Sequence, residues 1–333
     1  MKPNDIEIII SEIFDVNNTK DFNEVALKIF RLQYDNVPVY QEYCNALSIN
    51  PLEINSVLDI PFLPIQFFKS KEVVWKGIDI SKSTIFKSSG TTATGRSKHF
   101  VAKTDIYEKS FNSCFEQFYG NTKEITILAL LPSYQEQGES SLIYMVKYLI
   151  EKSEDARSGF YLKNEELIPV MQSLEKEGKK CLLIGVTYAL LDLIEANTFQ
   201  LNHTIIMETG GMKGRRKEMT KTELHNVLCE GFGVKEIHSE YGMTELLSQG
   251  YSTGNEWFSF PNWMQVFIRP VNDPLTVNES SQKTGGINII DLANIYSCSF
   301  IATQDLGRIE KNKLKIMGRF DHSDTRGCNL LVD

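Results

Sequence analysis

The sequence predicts an α/β protein in which mixed sheets are flanked by helices. Strand and helix patterns alternate between residues 125 and 238, short strand patterns separated by turns fill the chain beyond residue 255, and the first fifty residues carry apolar positions at helical spacing. Alternation of this kind calls for a parallel or mixed sheet, because each helix carries the chain back over the sheet to the start of the next strand.

Taken in order, Asp21 is placed to cap a helix over 22–34, in which Val25, Ala26, Ile29 and Phe30 share a face. Pro51, Pro61 and Pro64 then break the chain into an extended apolar segment, 61–69. Thr104 is placed to cap a helix over 104–118. Next come a buried strand over 125–131, a helix over 140–150, a strand over 181–184, a helix over 187–195 and a strand over 204–207. Thr220 and Glu223 form a capping box that opens a helix to about residue 230, and a strand over 234–238 follows. The remaining strands are expected over 265–269, 286–291, 298–303, 308–310 and 313–317.

Composition narrows the class. With 333 residues, 42% hydrophobic and 23% charged, the chain has the make-up of a soluble globular protein, with length for one large domain or two ordinary ones. A net charge of −8, with the basic run 213–217 followed at once by Glu218, argues against nucleic acid as the main partner. The cysteines at 44, 114, 181, 229, 298 and 328 have no metal spacing and suit reduced thiols in a cytoplasmic protein; five of them fall inside expected elements and read as core. Acidic residues interrupt the apolar positions at the N-terminus, which is unlike a signal peptide, and no apolar run is long enough to span a bilayer.

The chemistry concentrates in five segments. Residues 88–98, Ser-Ser-Gly-Thr-Thr-Ala-Thr-Gly-Arg-Ser-Lys, suit a loop wrapped around phosphate: glycines let backbone N–H groups converge on an anion, while hydroxyls and cations add donors and charge. Gly90, Gly95 and Ser97 also fit a P-loop, except that Arg96 stands where that loop needs Lys; a flexible surface loop is the third reading. Residues 209–213 carry paired glycines, which permit close approach to a flat ligand or make a simple turn. In the segment 238–245, Tyr241 offers an aromatic face. Glu245 makes sense near a polyphosphate as a Mg²⁺ ligand, or more plainly as a first-turn helix residue. Asp305, in 303–307, suits either ribose hydroxyls or a turn. The segment 318–321 reads as a strand end and charged hinge.

In their order these five segments resemble the motifs of the adenylate-forming superfamily of acyl-CoA synthetases and luciferases. The match extends to Phe62-Leu63-Pro64, Phe67-Phe68-Lys69 and the terminal residues 326–331, and within the superfamily the chain is most similar to the acyl-protein synthetases of the LuxE type. The resemblance covers residues 60–333. It implies an adenylate-forming domain over 1–317, with a helical region at 1–60, and a hinge and tail at 318–333. The usual small C-terminal domain and its lysine are absent from this stretch, so that either a cation such as Lys98 or Lys213 would substitute or a partner would supply one.

The resemblance also implies ATP and Mg²⁺ as cofactors and a carboxylic acid, of the fatty type, as substrate. Ser88, Ser89, Gly90, Thr91, Thr92 and Gly95 would surround the phosphates with Lys98, and Gly210, Gly211, Met212, Tyr241 and Gly242 would surround adenine. Asp305 would hold ribose, Arg319 at the hinge would also bind the nucleotide, and Thr244 and Glu245 would act in catalysis with the metal on Glu245. Cys328 would then take the acyl group as a thioester for delivery to an acyl reductase or acyl carrier; residues 185–191 and 130–134 would wall the acyl pocket. Rival readings are a ligase that uses coenzyme A or a carrier-protein thiol and a non-catalytic ATP-binding subunit. Acyl chain identity is not legible from one chain, and a homo-oligomer is compatible with the sequence.

Overall fold

The computed structural model describes residues 3–88, 95–131, 139–210, 219–277 and 283–320. The chain opens with helices α1 (Pro3–Phe14), α2 (Thr19–Asn36) and α3 (Pro38–Ala46). Strand β1 (Leu63–Pro64), the short α4 (Phe67–Ser70) and a hairpin of β2 (Thr84–Lys87) and β3 (Lys98–Val101) lead into α5 (Thr104–Tyr119). The alternating part runs β4 (Thr126–Leu130), α6 (Ser141–Lys152), β5 (Gly159–Phe160), α7 (Asn164–Glu177), β6 (Cys181–Gly185) and α8 (Thr187–Ala196). It continues through β7 (Thr204–Glu208), α9 (Lys221–Phe232), β8 (His238–Tyr241) and β9 (Gly250–Thr253). Strands β10 (Trp257–Phe258), β11 (Met264–Arg269), β12 (Gly285–Asp291), β13 (Phe300–Glu310) and β14 (Lys313–Arg319) complete it.

Two sheets organise these elements. In the first, ordered β5-β4-β6-β7-β8-β9, every pairing is parallel except that of β9. In the second, β10-β14-β13-β12-β11, neighbours are antiparallel and β1 adds in parallel to β13. A bridge between Tyr251 and Ser259 ties the edge of the first sheet to the segment entering the second.

The parallel strands are apolar throughout because both faces are covered. Along β4, Ile127 and Ala129 join the main core, which includes α5, α6 and the second sheet, while Leu128 and Leu130 join a second core formed with α7, α8 and α9. The N-terminal helices belong to the main core. The buried Gln33 amide donates to the carbonyls of Asn294 and Ile295 and accepts from the Ser299 N–H at 2.9 Å, while Tyr40 stacks on Phe300. Burying an amide this way is tolerable only because its hydrogen bonds are made.

Several expected boundaries move. Asn18, not Asp21, caps α2: its Oδ1 accepts from the Asp21 N–H at 3.0 Å, and Asp21 sits in the first turn, facing the helix dipole. Thr104 begins α5 rather than capping it, since Lys103 holds the N-cap without a side-chain bond. The strand expected over 234–238 begins only at His238, because Gly233 adopts the left-handed conformation that ends α9 and the Val234 N–H donates back to the Cys229 carbonyl. The strands expected over 298–303 and 308–310 are one, β13, so Asp305 lies within a strand and not in a turn. The capping box at Thr220 and Glu223 forms as expected. Of the five cysteines read as core, Cys44, Cys114, Cys181 and Cys298 are buried, whereas Cys229 is partly exposed on α9.

Candidate active site

The parallel strands of the first sheet deliver their C-terminal ends to one edge, where open α/β sheets place ligands. There β6 ends at Gly185, whose carbonyl accepts from the Thr209 N–H at 3.0 Å. After β7, Gly210 turns at φ +75°, a conformation that favours glycine, and its carbonyl accepts from the Thr187 N–H while its own N–H donates to Glu208 at 2.8 Å. Glu208 is fully buried. Burial acts to raise its pKa, but the adjacent Lys221 ammonium, aided by His225 and Ser239, holds it well below the usual carboxylate range. Gly211, Met212 and Lys213 lie outside the described residues.

β8 ends at Tyr241, whose ring packs against Phe258 and Phe260 and whose hydroxyl donates to Asp305 Oδ2 at 2.8 Å. The register of β13 and β14 sets Asp305 opposite Arg319, and the Arg319 Nε meets Asp305 Oδ1 at 2.9 Å. Three separately expected residues, from both sheets, therefore share one carboxylate. Burial first, and then the Asp305 charge, push the Tyr241 hydroxyl well above its ordinary pKa, so it is a donor at neutral pH. Each Asp305 oxygen keeps a second lone pair for another donor. Gly242 follows, and a Cβ there would stand 2.4 Å from Glu240 Oε1, so any larger residue would require the Glu240 carboxylate to shift.

The 88–98 segment closes at the base of the same edge. Ser88 and Ser97 are joined by the Ser97 N–H to Ser88 Oγ bond at 3.0 Å and the Ser88 N–H to Ser97 carbonyl bond at 3.1 Å; residues 89–94, with Ser89, Gly90, Thr91 and Thr92, lie outside the described set. Gly95 sits at φ +88°. The loop joins two antiparallel strands instead of a strand and a helix, so the P-loop reading fails on topology. Arg96 also folds back on the Ser88 carbonyl and lies 4.0 Å from Glu139, whereas Lys98 is exposed.

Glu245 is buried and forms no ion pair among the described residues. Burial raises its pKa, opposed by the Ser97 hydroxyl, Arg319 and Lys69. A buried carboxylate without a cation of its own suits a hard divalent ion that takes one carboxylate together with phosphate oxygens. No group of three or more metal-type side chains occurs among the described residues, so such an ion would depend on the substrate for most of its ligands.

Sequence reasoning missed the residues that hold this turn. His99 on β3 bonds the Thr244 carbonyl at 2.9 Å through Nδ1 and Ser297 Oγ at 2.8 Å through Nε2. Asn294 donates to the Glu245 carbonyl at 2.8 Å. Asp291, at the end of β12, accepts from the N–H groups of Leu247 and Ser248, each at 2.8 Å, and from the Ser248 hydroxyl at 2.6 Å. One signal was available: a carboxylate ending the apolar run of β12 needs buried donors. Residues 185–191, expected in the acyl pocket, fold with Tyr188, Leu190 and Leu191 in the second core. Cys328 lies outside the described residues.

His99 gives a pH signature. Burial pushes its pKa down to about 4, so the ring is neutral in the fold, while the unfolded chain protonates near 6.5. Stability from this group is complete above pH 6.5 and is lost as pH falls toward 4. Between pH 7 and 5 the parent should therefore lose about 2 kcal/mol more than His99→Gln. Urea midpoints at both pH values measure the difference, and equal losses would contradict a buried neutral His99.

No family model matches the chain, and no curated protein matches it. Among solved structures, 2-hydroxyisobutyryl-CoA ligase in an open conformation, in complex with 2-HIB-AMP and CoA, is similar with a TM-score of 0.65 at 11% identity, covering 92% of this chain and 72% of that one. The ligase in the postadenylation state, in complex with 2-HIB-AMP, gives a TM-score of 0.64 at 11% identity, over 91% and 69%. The fold is that of an adenylate-forming ligase domain. No described helix is long and apolar enough to cross a membrane.

Proposed function

We propose that the chain activates a carboxylic acid with ATP and then passes the acyl group to its own Cys328. The observation that carries the first step is the Tyr241–Asp305–Arg319 cluster beside the buried Glu245, because it joins an aromatic face, ribose-type acceptors and a carboxylate at one strand-end edge. The carboxylate oxygen attacks the α-phosphorus, the bond to the β-phosphate breaks, and pyrophosphate leaves with the electron pair. Tyr241 and Gly210 border the adenine, Asp305 accepts from the ribose hydroxyls, and the 88–98 loop with Lys98 surrounds the leaving phosphates. Glu245 would hold Mg²⁺, which supplies charge neutralisation on the phosphates when bound. Thr244, held through its carbonyl by His99, fixes the approach of Glu245.

In the second step the Cys328 thiolate attacks the acyl carbon, AMP leaves, and a thioester forms for delivery to an acyl reductase or carrier. The similarity of the 326–331 segment to acyl-protein synthetases supports this step, and the substrate it suggests is a fatty acid. A coenzyme A ligase is the second reading, favoured by the fold shared with 2-hydroxyisobutyryl-CoA ligase. Cys328→Ser separates them. It should retain carboxylate-dependent ATP–pyrophosphate exchange and lose a hydroxylamine-sensitive acyl label on the protein. A label that persists, or a thioester formed only on added coenzyme A, would sink the role of Cys328.

A further inference from the structure

A groove of about 640 Å³ runs among α4, β3 and residues 71–80. Its floor is apolar: Phe68, Trp75 and Phe100 are buried, while Ile78 and Ile80 stay partly exposed. The indole Nε1 of Trp75 is buried with no acceptor among the described residues. A buried N–H left unpaired is costly, so this one calls for an acceptor that a pure hydrocarbon would lack. On the rim, Lys69 and Lys71 are exposed and have no hydrogen bond or ion pair among the described residues, on a chain whose net charge is −8. Together these features suit an acidic peptide with a short apolar run. Its side chains would cover the floor, a main-chain carbonyl would meet Trp75, and its carboxylates would meet the lysines.

The chain itself supplies such a peptide. Residues 321–333, outside the described residues, read Asp-His-Ser-Asp-Thr-Arg-Gly-Cys-Asn-Leu-Leu-Val-Asp, with three aspartates against one arginine and an apolar run ahead of Asp333. The segment also starts near the groove. Arg319 and Lys69 both act on the Glu245 carboxylate, and Phe68 meets the ring of His99, which holds the Thr244 carbonyl. The last described residues and the groove therefore adjoin one turn, and the stretch from Phe320 to Leu330 can extend roughly 33 Å.

We propose that this groove is the docking site of the chain's own 329–333 segment. Leu330, Leu331 and Val332 cover the floor, and Asp333 meets Lys69 and Lys71. Docking holds Cys328, two positions before Leu330, close to the Glu245 turn. That consequence rests on the thioester reading of Cys328, whereas the docking itself does not.

Tryptic cleavage of the full chain after Arg326, followed by intact mass, tests this, because a protease must hold several residues on both sides of the bond it cuts. The parent should be cut there slowly. Leu331→Asp and Lys71→Glu should each speed the cut about tenfold, through loss of one buried aliphatic side chain or one charge-assisted contact. Rates are divided by those of the matching free 321–333 peptides, which removes any direct effect of Leu331→Asp on the protease. Lys71 is exposed, and thermal melts should show that its variant folds. Lys20→Glu, at an exposed lysine of α2 outside the groove, should change nothing. Equal cleavage of the parent and either groove-directed variant would overturn the proposal, as would equal acceleration by Lys20→Glu. Protection that grows with protein concentration would also overturn it, by placing the segment on a second copy. If groove-dependent protection appears while Cys328 takes no acyl label, the docking site stands and the thioester reading falls.

Discussion

Glu245→Gln should lower carboxylate-dependent ATP–pyrophosphate exchange by about 10²–10³-fold, the cost of removing one charge-stabilising group from an active site, while leaving the protein at least as stable as its parent. The two halves have one cause. Glu245 is buried, and burial pushes its pKa up, so the fold disfavours its charge. An acid whose pKa rises on folding takes up a proton there, so its contribution to stability falls as pH climbs above the ordinary carboxylate range. Gln keeps the shape and removes the charge, so the advantage of the variant should be larger at pH 8 than at pH 5. Loss of activity with unchanged or raised melting temperature identifies a group kept for chemistry at the expense of stability. Unchanged exchange would remove Glu245 from the site, and a lowered melting temperature would make it a structural residue.

Asp291→Ala should be the most damaging single change to stability, at about 3 kcal/mol or more. It would leave the N–H groups of Leu247, Ser248 and Ala293 and the Ser248 hydroxyl without their acceptor inside the core. Burial pushes the Asp291 carboxyl up to about 6 despite those donors, so it is ionised near neutrality and the bonds are charge-assisted. Asn at this position keeps one acceptor oxygen and should cost less than Ala. Exchange activity should fall with stability, because Leu247 and Ser248 directly follow the Glu245 turn. Urea unfolding at pH 7 measures the effect, and a loss below about 1 kcal/mol would show that water replaces the carboxylate.

Much of the scaffold was legible because its signals are local. The apolar runs of β4, β6 and β7 announce strands covered on both faces, and Thr220 with Glu223 marks the start of α9 to the residue. Boundaries slipped where a competing cap was available, as at Asn18, or where the helix exit at Gly233 consumed residues that look like strand. The candidate site was legible in its motif residues: Tyr241, Asp305 and Arg319 do converge. Its supports were not, because they arise from pairings remote in sequence. His99 meets Thr244 across 145 positions and Gln33 meets Asn294 across 261, and neither carries a local pattern. Asp305 shows the same limit from the other side: within its own pentapeptide it reads as a turn residue, and only the pairing of β13 with β14 reveals it opposite Arg319.

The most direct test is ATP–pyrophosphate exchange by the parent protein across a panel of carboxylic acids from short to long chain. Adenylation predicts exchange that depends on both the acid and Mg²⁺ and needs neither coenzyme A nor Cys328. Absence of exchange with every acid, from a folded protein that still binds ATP, would contradict it.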